Sequence, residues 1–234
     1  RITLCTIVLI TGFSARILCA PAAVAVPDKH AADVAREILM AGGNAIDAAV
    51  AVGFSLAVTY PEAGNIGGGG FLTSFIDRET AFLDFREAAP SRATRKMFLD
   101  ENEEFVQRRA LIGGLASGVP GTVRGLRKAH DRYGTLPWKK LLFPAIRLAK
   151  QGFSIEPSLE KSIADRSNEI NGETNFSKYF GGAKTGNLFK QPELASTLAL
   201  IAENPDSFYS GSIAEKIVAQ MRAADGLITL DDLK

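Results

Sequence analysis

The sequence predicts an α+β chain in which buried helices pack against antiparallel strands. Three observations carry that prediction. Apolar stretches recur with helical spacing between capping residues, and one pair of aromatic and β-branched runs is arranged as a hairpin. Of the 234 residues, 46% are hydrophobic and 23% charged, the composition of a folded globular domain rather than a disordered or fibrous chain. One large domain is the default.

The elements follow in order. Residues 22–27, AAVAVP, form a short apolar run suited to a buried strand. Asp28 then offers an N-cap to a helix carrying Val34, Ala35, Ile38 and Leu39 on one face, stopped by Gly42 and Gly43. Asn44 and Asp47 have the spacing of a capping box. They open AIDAAVAVGFSLAVT, apolar nearly all round and therefore buried on most sides, which Pro61 terminates. In the next stretch Gly64, Gly67, Gly68, Gly69 and Gly70 permit positive φ and close approach to another segment or a ligand. FLTSFI and TAFLDF, separated by Asp77, Arg78 and Glu79, read as an antiparallel hairpin with Arg86 at its exit.

From Arg92 to Arg109 the residues are charged without a period, which predicts a short helix and an exposed loop. Gly113 to Gly121 reads as a tight turn leading into a helix with Pro120 in its first turn, running through Tyr133 to Gly134. Helices are expected at 138–150, 157–167, 192–203 and 213–224, with Gly152 and Gly226 as stops. Residues 168–191 read as a surface loop covering something. Thr229, with Asp231 and Asp232, marks a helix start, so the C-terminus reads as a cut rather than an end.

Residues 1–20 read as a clipped targeting segment. They begin without Met, and their apolar core of about a dozen residues falls short of the roughly 20 a membrane span needs, which fits a secretory leader; a short membrane anchor and a buried strand are the alternatives. Ala15 and Ala20 are candidates for the last removed residue, leaving 21–234 as the folded part. Cys5 and Cys19 both fall in this segment, so a disulfide framework and a cysteine nucleophile are excluded beyond it, and a cleaved chain would suit an oxidising compartment.

Charge and motifs narrow the chemistry. With 27 Lys and Arg against 26 Asp and Glu, the net charge of +1 gives no field to gather nucleic acid. His30 and His130 stand far apart, and no His/Cys cluster has metal-ligand spacing, so no metal is expected. The Gly64–Gly70 run lacks the Lys and Ser/Thr of a phosphate loop, leaving tight backbone packing as its reading. Ser117 lies outside a GxSxG elbow. Asp47 is read as a capping residue, and Asp100, Glu101, Glu103 and Glu104 as a solvated loop. An Arg beside Glu87 and near Asp84 reads, taken alone, as an ion pair at a strand end.

Four blocks in register are more specific: GGNAIDAAVAVGFSLAVTYPEAGNIGGGGF, LDFREAAP, LASGVPGTVRGL with HDRYGTLPW, and QPELASTLALIAENPDSFYSGSIAEKIV. Over about residues 22–234 the chain resembles the N-terminal part of the γ-glutamyltransferases, also called glutathione hydrolases. The resemblance implies an N-terminal-nucleophile hydrolase fold, a four-layer αββα sandwich incomplete in this chain. It implies a precursor that cuts itself into a large and a small subunit. The small subunit's new N-terminal threonine would be the nucleophile, with its own α-amine as base. No catalytic residue is then expected among these 234. The arginine of DFRE, here Arg86, would grip the α-carboxylate of the γ-glutamyl group through its paired donors, which reverses the ion-pair reading. The chemistry implied needs no cofactor. Partners would be glutathione and other γ-glutamyl compounds, amino acid or dipeptide acceptors, and the small subunit, in the periplasm or outside the cell. The rival readings are a glutaryl acylase of the same superfamily acting on a β-lactam, and an inactive fragment.

Overall fold

The computed structural model of the protein describes residues 22–170, 172 and 174–234; residues 1–20, read above as a targeting segment, and with them both cysteines lie outside the described residues. Helix α1 (Lys29–Met40) is capped by Asp28, whose Oδ2 accepts from the Ala31 N–H at 3.0 Å. The same oxygen accepts from the Thr59 hydroxyl at 2.7 Å, joining the start of α1 to the end of α2 (Ala45–Thr59). Helix α2 is the centre of the molecule. Apolar on nearly every side, it buries Val50, Phe54 and Val58 completely, each side chain contributing roughly 1.5–3 kcal/mol of hydrophobic free energy. Around it pack α1, α4 (Thr122–Tyr133) and α5 (Trp138–Gln151). Helix α8 (Pro192–Glu203) covers α5, fixed where the Trp138 indole N–H donates to the Ile201 carbonyl at 3.0 Å.

The hairpin forms as expected. Strands β1 (Phe71–Ile76) and β2 (Glu79–Asp84) pair antiparallel, Phe71 opposite Asp84 and Ile76 opposite Glu79. Asp77 and Arg78 turn the chain at φ 52° and 67°, the left-handed pair that matches strand twist in a two-residue loop. Leu72, Ser74 and Leu83 face α4, while Phe71, Phe75 and Phe82 stand on the opposite face at 56%, 72% and 65% exposure. A second antiparallel pair joins β3 (Phe153–Ser154) to β4 (Leu188–Phe189). The remaining helices are α3 (Gln107–Leu111), α6 (Pro157–Ile170), α7 (Phe176–Phe180), α9 (Ser212–Ala223) and α10 (Leu230–Leu233).

Three expectations are corrected. Residues 22–27 form no strand, and 22–25 are exposed: among the described residues no strand runs beside them to pair their backbone. Pro120 precedes α4 instead of opening it, because the N–H groups of Gly121 and Thr122 both donate to the Gly68 carbonyl, at 2.7 and 3.0 Å, and Gly121 becomes the N-cap. Region 92–109 is as expected an exposed loop leading into the short helix α3, with an isolated bridge from Leu99 to Phe105 within which Asp100 accepts from the Asn102 and Glu104 N–H groups. The presumed loop 168–191 contains the end of α6, all of α7, and β4. Stacked rings of Phe176 and Phe180, and Phe189 against Phe153, lay it over the β3 end of the core.

Candidate functional site

Arg86 lies one residue beyond β2's last bonded neighbour, on a segment fixed by backbone pairing at two points. Phe85 exchanges hydrogen bonds with Gly70 at 3.0 and 3.3 Å, and Ala88 with Val119 at 2.8 and 3.2 Å. Between them Asp84 Oδ1 accepts from the Arg86 N–H at 2.9 Å. That contact overturns the ion-pair reading: the carboxylate serves the Arg86 backbone, and among the described residues the exposed guanidinium has no partner. A planar cation held at a strand exit and otherwise unspent is able to receive a carboxylate through two parallel N–H groups.

The bed beneath this segment is made of glycines. A Cβ on Gly69 would come to 2.6 Å from the Glu87 nitrogen and the Phe85 oxygen, one on Gly70 to 2.9 Å from the Phe85 ring, and one on Gly118 to 2.8 Å from the Glu87 Cβ. On Gly121 and Gly125 a methyl would overlap the Phe85 carbonyl and ring outright. Real Cβ atoms do not approach so closely, so these positions exclude side chains. None of the glycines from 64 to 70 has positive φ. Of the two uses read from the sequence, close approach is the one realised. Asn65 completes the bed, its Oδ1 accepting from the Gly68 N–H at 2.9 Å and the Thr122 hydroxyl at 2.6 Å.

The far end of the segment is tied to the C-terminus. Asp232 Oδ1 accepts from the Ser91 N–H at 2.7 Å, while its Oδ2 accepts from the Thr229 N–H and hydroxyl in the capping box of α10. Burial would raise the Asp232 carboxyl, but the bonds from Ser91 and Thr229 outweigh it and hold it at about 2. Helix α10 is further fixed by Arg124, which donates to the Leu233 carbonyl at 3.0 Å and lies 3.9 Å over the Tyr209 ring. Burial pushes the Tyr209 phenol up, against the nearby Arg124.

Asp47 is fully buried and serves as the expected cap. Its carboxylate accepts from the N–H groups of Asn44, Thr135 and Leu136 and from the Thr135 hydroxyl at 2.6 Å. Burial raises its pKa, and these hydrogen bonds bring it below the usual value. Ser117 and His130 are not brought together: the Ser117 hydroxyl points to the Gly113 carbonyl, and His130 Nε2 lies 2.8 Å from the Leu136 carbonyl. Glu62 accepts from the Ser162 hydroxyl, outside the Arg86 segment. Among the described residues no three His, Cys, Asp or Glu side chains are grouped to hold a metal. A groove of about 670 Å³ between the Gly67 and Gly118 turns and helices α8 and α9 abuts the bed through Gly118. The role of Gly118, Gly121 and Gly125 and the Asp232 tie escaped the sequence reading. The helical spacing of Gly121 and Gly125 was the available signal for the first; nothing local marks a bond between residues so distant in sequence.

The sequence profile of the Gamma-glutamyltranspeptidase family matches residues 31–234. A Pseudomonas aeruginosa protein described as a glutathione hydrolase proenzyme is 53% identical over 212 residues, covering 90% of this chain and 38% of that protein. The solved γ-glutamyltranspeptidase from Pseudomonas nitroreducens, complexed with L-DON, superposes with a TM-score of 0.90 at 53% identity over 92% of this chain and 64% of that one. A cephalosporin acylase from Bacillus halodurans is more distant, with a TM-score of 0.77 at 29% identity over 87% of this chain and 40% of its own. The chain therefore spans 38% of the length of that curated relative. The fold is that of the N-terminal-nucleophile hydrolases, with the described residues supplying helices and two short antiparallel strand pairs. With the profile matched from residue 31 to the last residue and the fold shared at this level, the chain belongs to the γ-glutamyltranspeptidase family.

Proposed function

We propose that this chain is the large-subunit part of a γ-glutamyltransferase precursor, and that Arg86 holds the α-carboxylate of the γ-glutamyl donor. The observation that carries the reading is the exposed Arg86 guanidinium, without a partner among the described residues, on a segment fixed at both ends, within a member of this family. In the complete protein a threonine, made N-terminal by cleavage of the precursor, attacks the γ-glutamyl amide of glutathione. The amide C–N bond breaks, its nitrogen leaves with a proton, and a γ-glutamyl ester forms on the threonine. Water or the amine of an amino acid or dipeptide then takes the acyl group and regenerates the hydroxyl. The threonine's own α-amine carries the proton between these steps. Arg86 contributes binding and orientation, so that the reacting carbonyl is presented in one place. The leader-like residues 1–20 support a location outside the cytoplasm, in the periplasm or beyond. Among the described residues no helix is long and apolar enough to cross a membrane.

The test is release of aniline from a γ-glutamyl anilide by the uninterrupted reading frame, with and without Arg86→Ala. Loss of a bidentate carboxylate grip is expected to lower kcat/KM by about 100-fold, most of it as a higher donor KM. The 234-residue chain alone is expected to be inactive. Activity in that chain would place the nucleophile within these residues and overturn the mechanism. Faster turnover of a glutaryl anilide than of the γ-glutamyl one would favour the acylase reading, which the greater distance of the acylase structure disfavours.

A further inference from the structure

We propose that Asp84 is a positioning residue for the donor, acting through Arg86; the inference rests on the reading of Arg86 given above. Asp84 closes β2 opposite Phe71, and its Oδ1 accepts from the N–H two residues on, the local bond by which an Asp side chain turns a backbone. The backbone pairs on either side, Phe85 with Gly70 and Ala88 with Val119, leave Arg86 and Glu87 between them without a ladder partner. Asp84 thus supplies the hydrogen bond that orients the Arg86 peptide. That peptide sets the direction of the Arg86 Cα–Cβ bond, and a small rotation there is multiplied along a long side chain. The glycine bed leaves the peptide little room below, since a Cβ on Gly69 would already lie 2.8 Å from the Arg86 carbonyl carbon. The bond has a second effect. A carboxylate two residues from a guanidinium would compete with the donor for it; with Oδ1 turned to the backbone, the guanidinium stays open to substrate.

What this role requires of residue 84 is an acceptor oxygen at Oδ1, not a charge. The complete precursor carrying Asp84→Asn, which keeps that oxygen, is expected to retain a donor KM within about twofold of the parent. Asp84→Ala is expected to raise donor KM by about tenfold while kcat stays within about threefold, because misplacing a binding group chiefly weakens capture of the substrate. Acceptor KM and the midpoint of thermal unfolding should change little in Asp84→Asn. Asp84→Ser, whose hydroxyl makes the same turn more weakly, should fall between the two and serves if the Ala variant fails to accumulate. Equal defects in Asn and Ala would mean that the charge matters and would overturn the proposal. So would an Ala variant with unchanged donor KM, or with lowered kcat at unchanged KM. A precursor in which Arg86→Ala is defective and Asp84→Ala is normal sinks this inference alone, whereas a parent with no γ-glutamyl activity removes both readings.

Discussion

Asp47 and Asp232 do the same work far apart in the chain: each is a carboxylate that accepts from another segment, Asp47 from the N–H groups of Thr135 and Leu136 and Asp232 from that of Ser91, as well as capping its own helix. Both carboxyls are held below their ordinary values, Asp232 at about 2 against 3.8. A folded pKa depressed below the unfolded one gives stability that is fully present above the unfolded value and fades as pH falls through the folded one. The difference in unfolding midpoint between the parent chain and Asp232→Ala should therefore be largest above about pH 4 and shrink steadily toward pH 2. A difference that stays constant over that range would show that the Asp232 bonds do not depend on its charge. The capping half of each role was readable, since Asn44 with Asp47 and Thr229 with Asp232 have the spacing a capping box needs. The long-range half was not, because the partners Thr135 and Ser91 carry no local mark.

Helices with a cap, an amphipathic or wholly apolar run and a glycine or proline stop were legible nearly to the residue, as α1, α2, α5 and α8 show. The hairpin was legible from alternation and its polar turn. Elements of two to five residues escaped, α7 and β4 inside the expected loop and β3 between two helices, because they are shorter than any period can report. Helix α4 is the element on which the candidate site depends, and its fit rests on Gly125. Gly125→Ala should destabilise the chain by about 2 kcal/mol or more, since the added methyl meets the Phe85 ring and overpacking of this kind costs roughly 1–3 kcal/mol. Combined with Phe85→Ala, which removes the Cγ and Cδ1 that the methyl would meet at 2.1 and 2.6 Å though not the Cβ at 2.4 Å, the substitution should cost less than the two single changes added together. Denaturant titration of the four chains measures the coupling, and simple additivity would show that α4 shifts to accommodate the methyl.

At the scale of the whole molecule, the helices close a core around α2 while the hairpin keeps one aromatic face uncovered. Phe71, Phe75 and Phe82 lie on that face, the first and last with stacked rings 5.9 Å apart. With a net charge of only +1 to hold copies apart, the isolated chain should bind an apolar dye and self-associate at micromolar concentration. Phe75→Lys together with Phe82→Thr should reduce both effects; a parent chain that stays monomeric and dye-free by sedimentation and fluorescence would contradict this. The α+β class was legible in composition and pattern. The four-layer stack was not, because stacking is a relation between large sheets, and the described residues of this chain, which spans 38% of the length of a curated relative, form two strand pairs only.

The glycine bed under Arg86 also bears on how this stretch of gene tolerates mutation. At Gly69, Gly118, Gly121 and Gly125 what is selected is the lack of any atom beyond Cα, because the strand exit occupies the place where a side chain would stand. Glycine is the smallest residue, so every missense change at these codons adds volume, and none has a conservative version. Gly70 is different: what its Cβ would meet is the outer edge of the Phe85 ring, at 2.9 Å, and a smaller side chain at residue 85 opens room for a methyl there. Drift at that pair should therefore run in a fixed order, with Phe85 changing before Gly70 can, while the glycines that face backbone or a Cβ stay fixed.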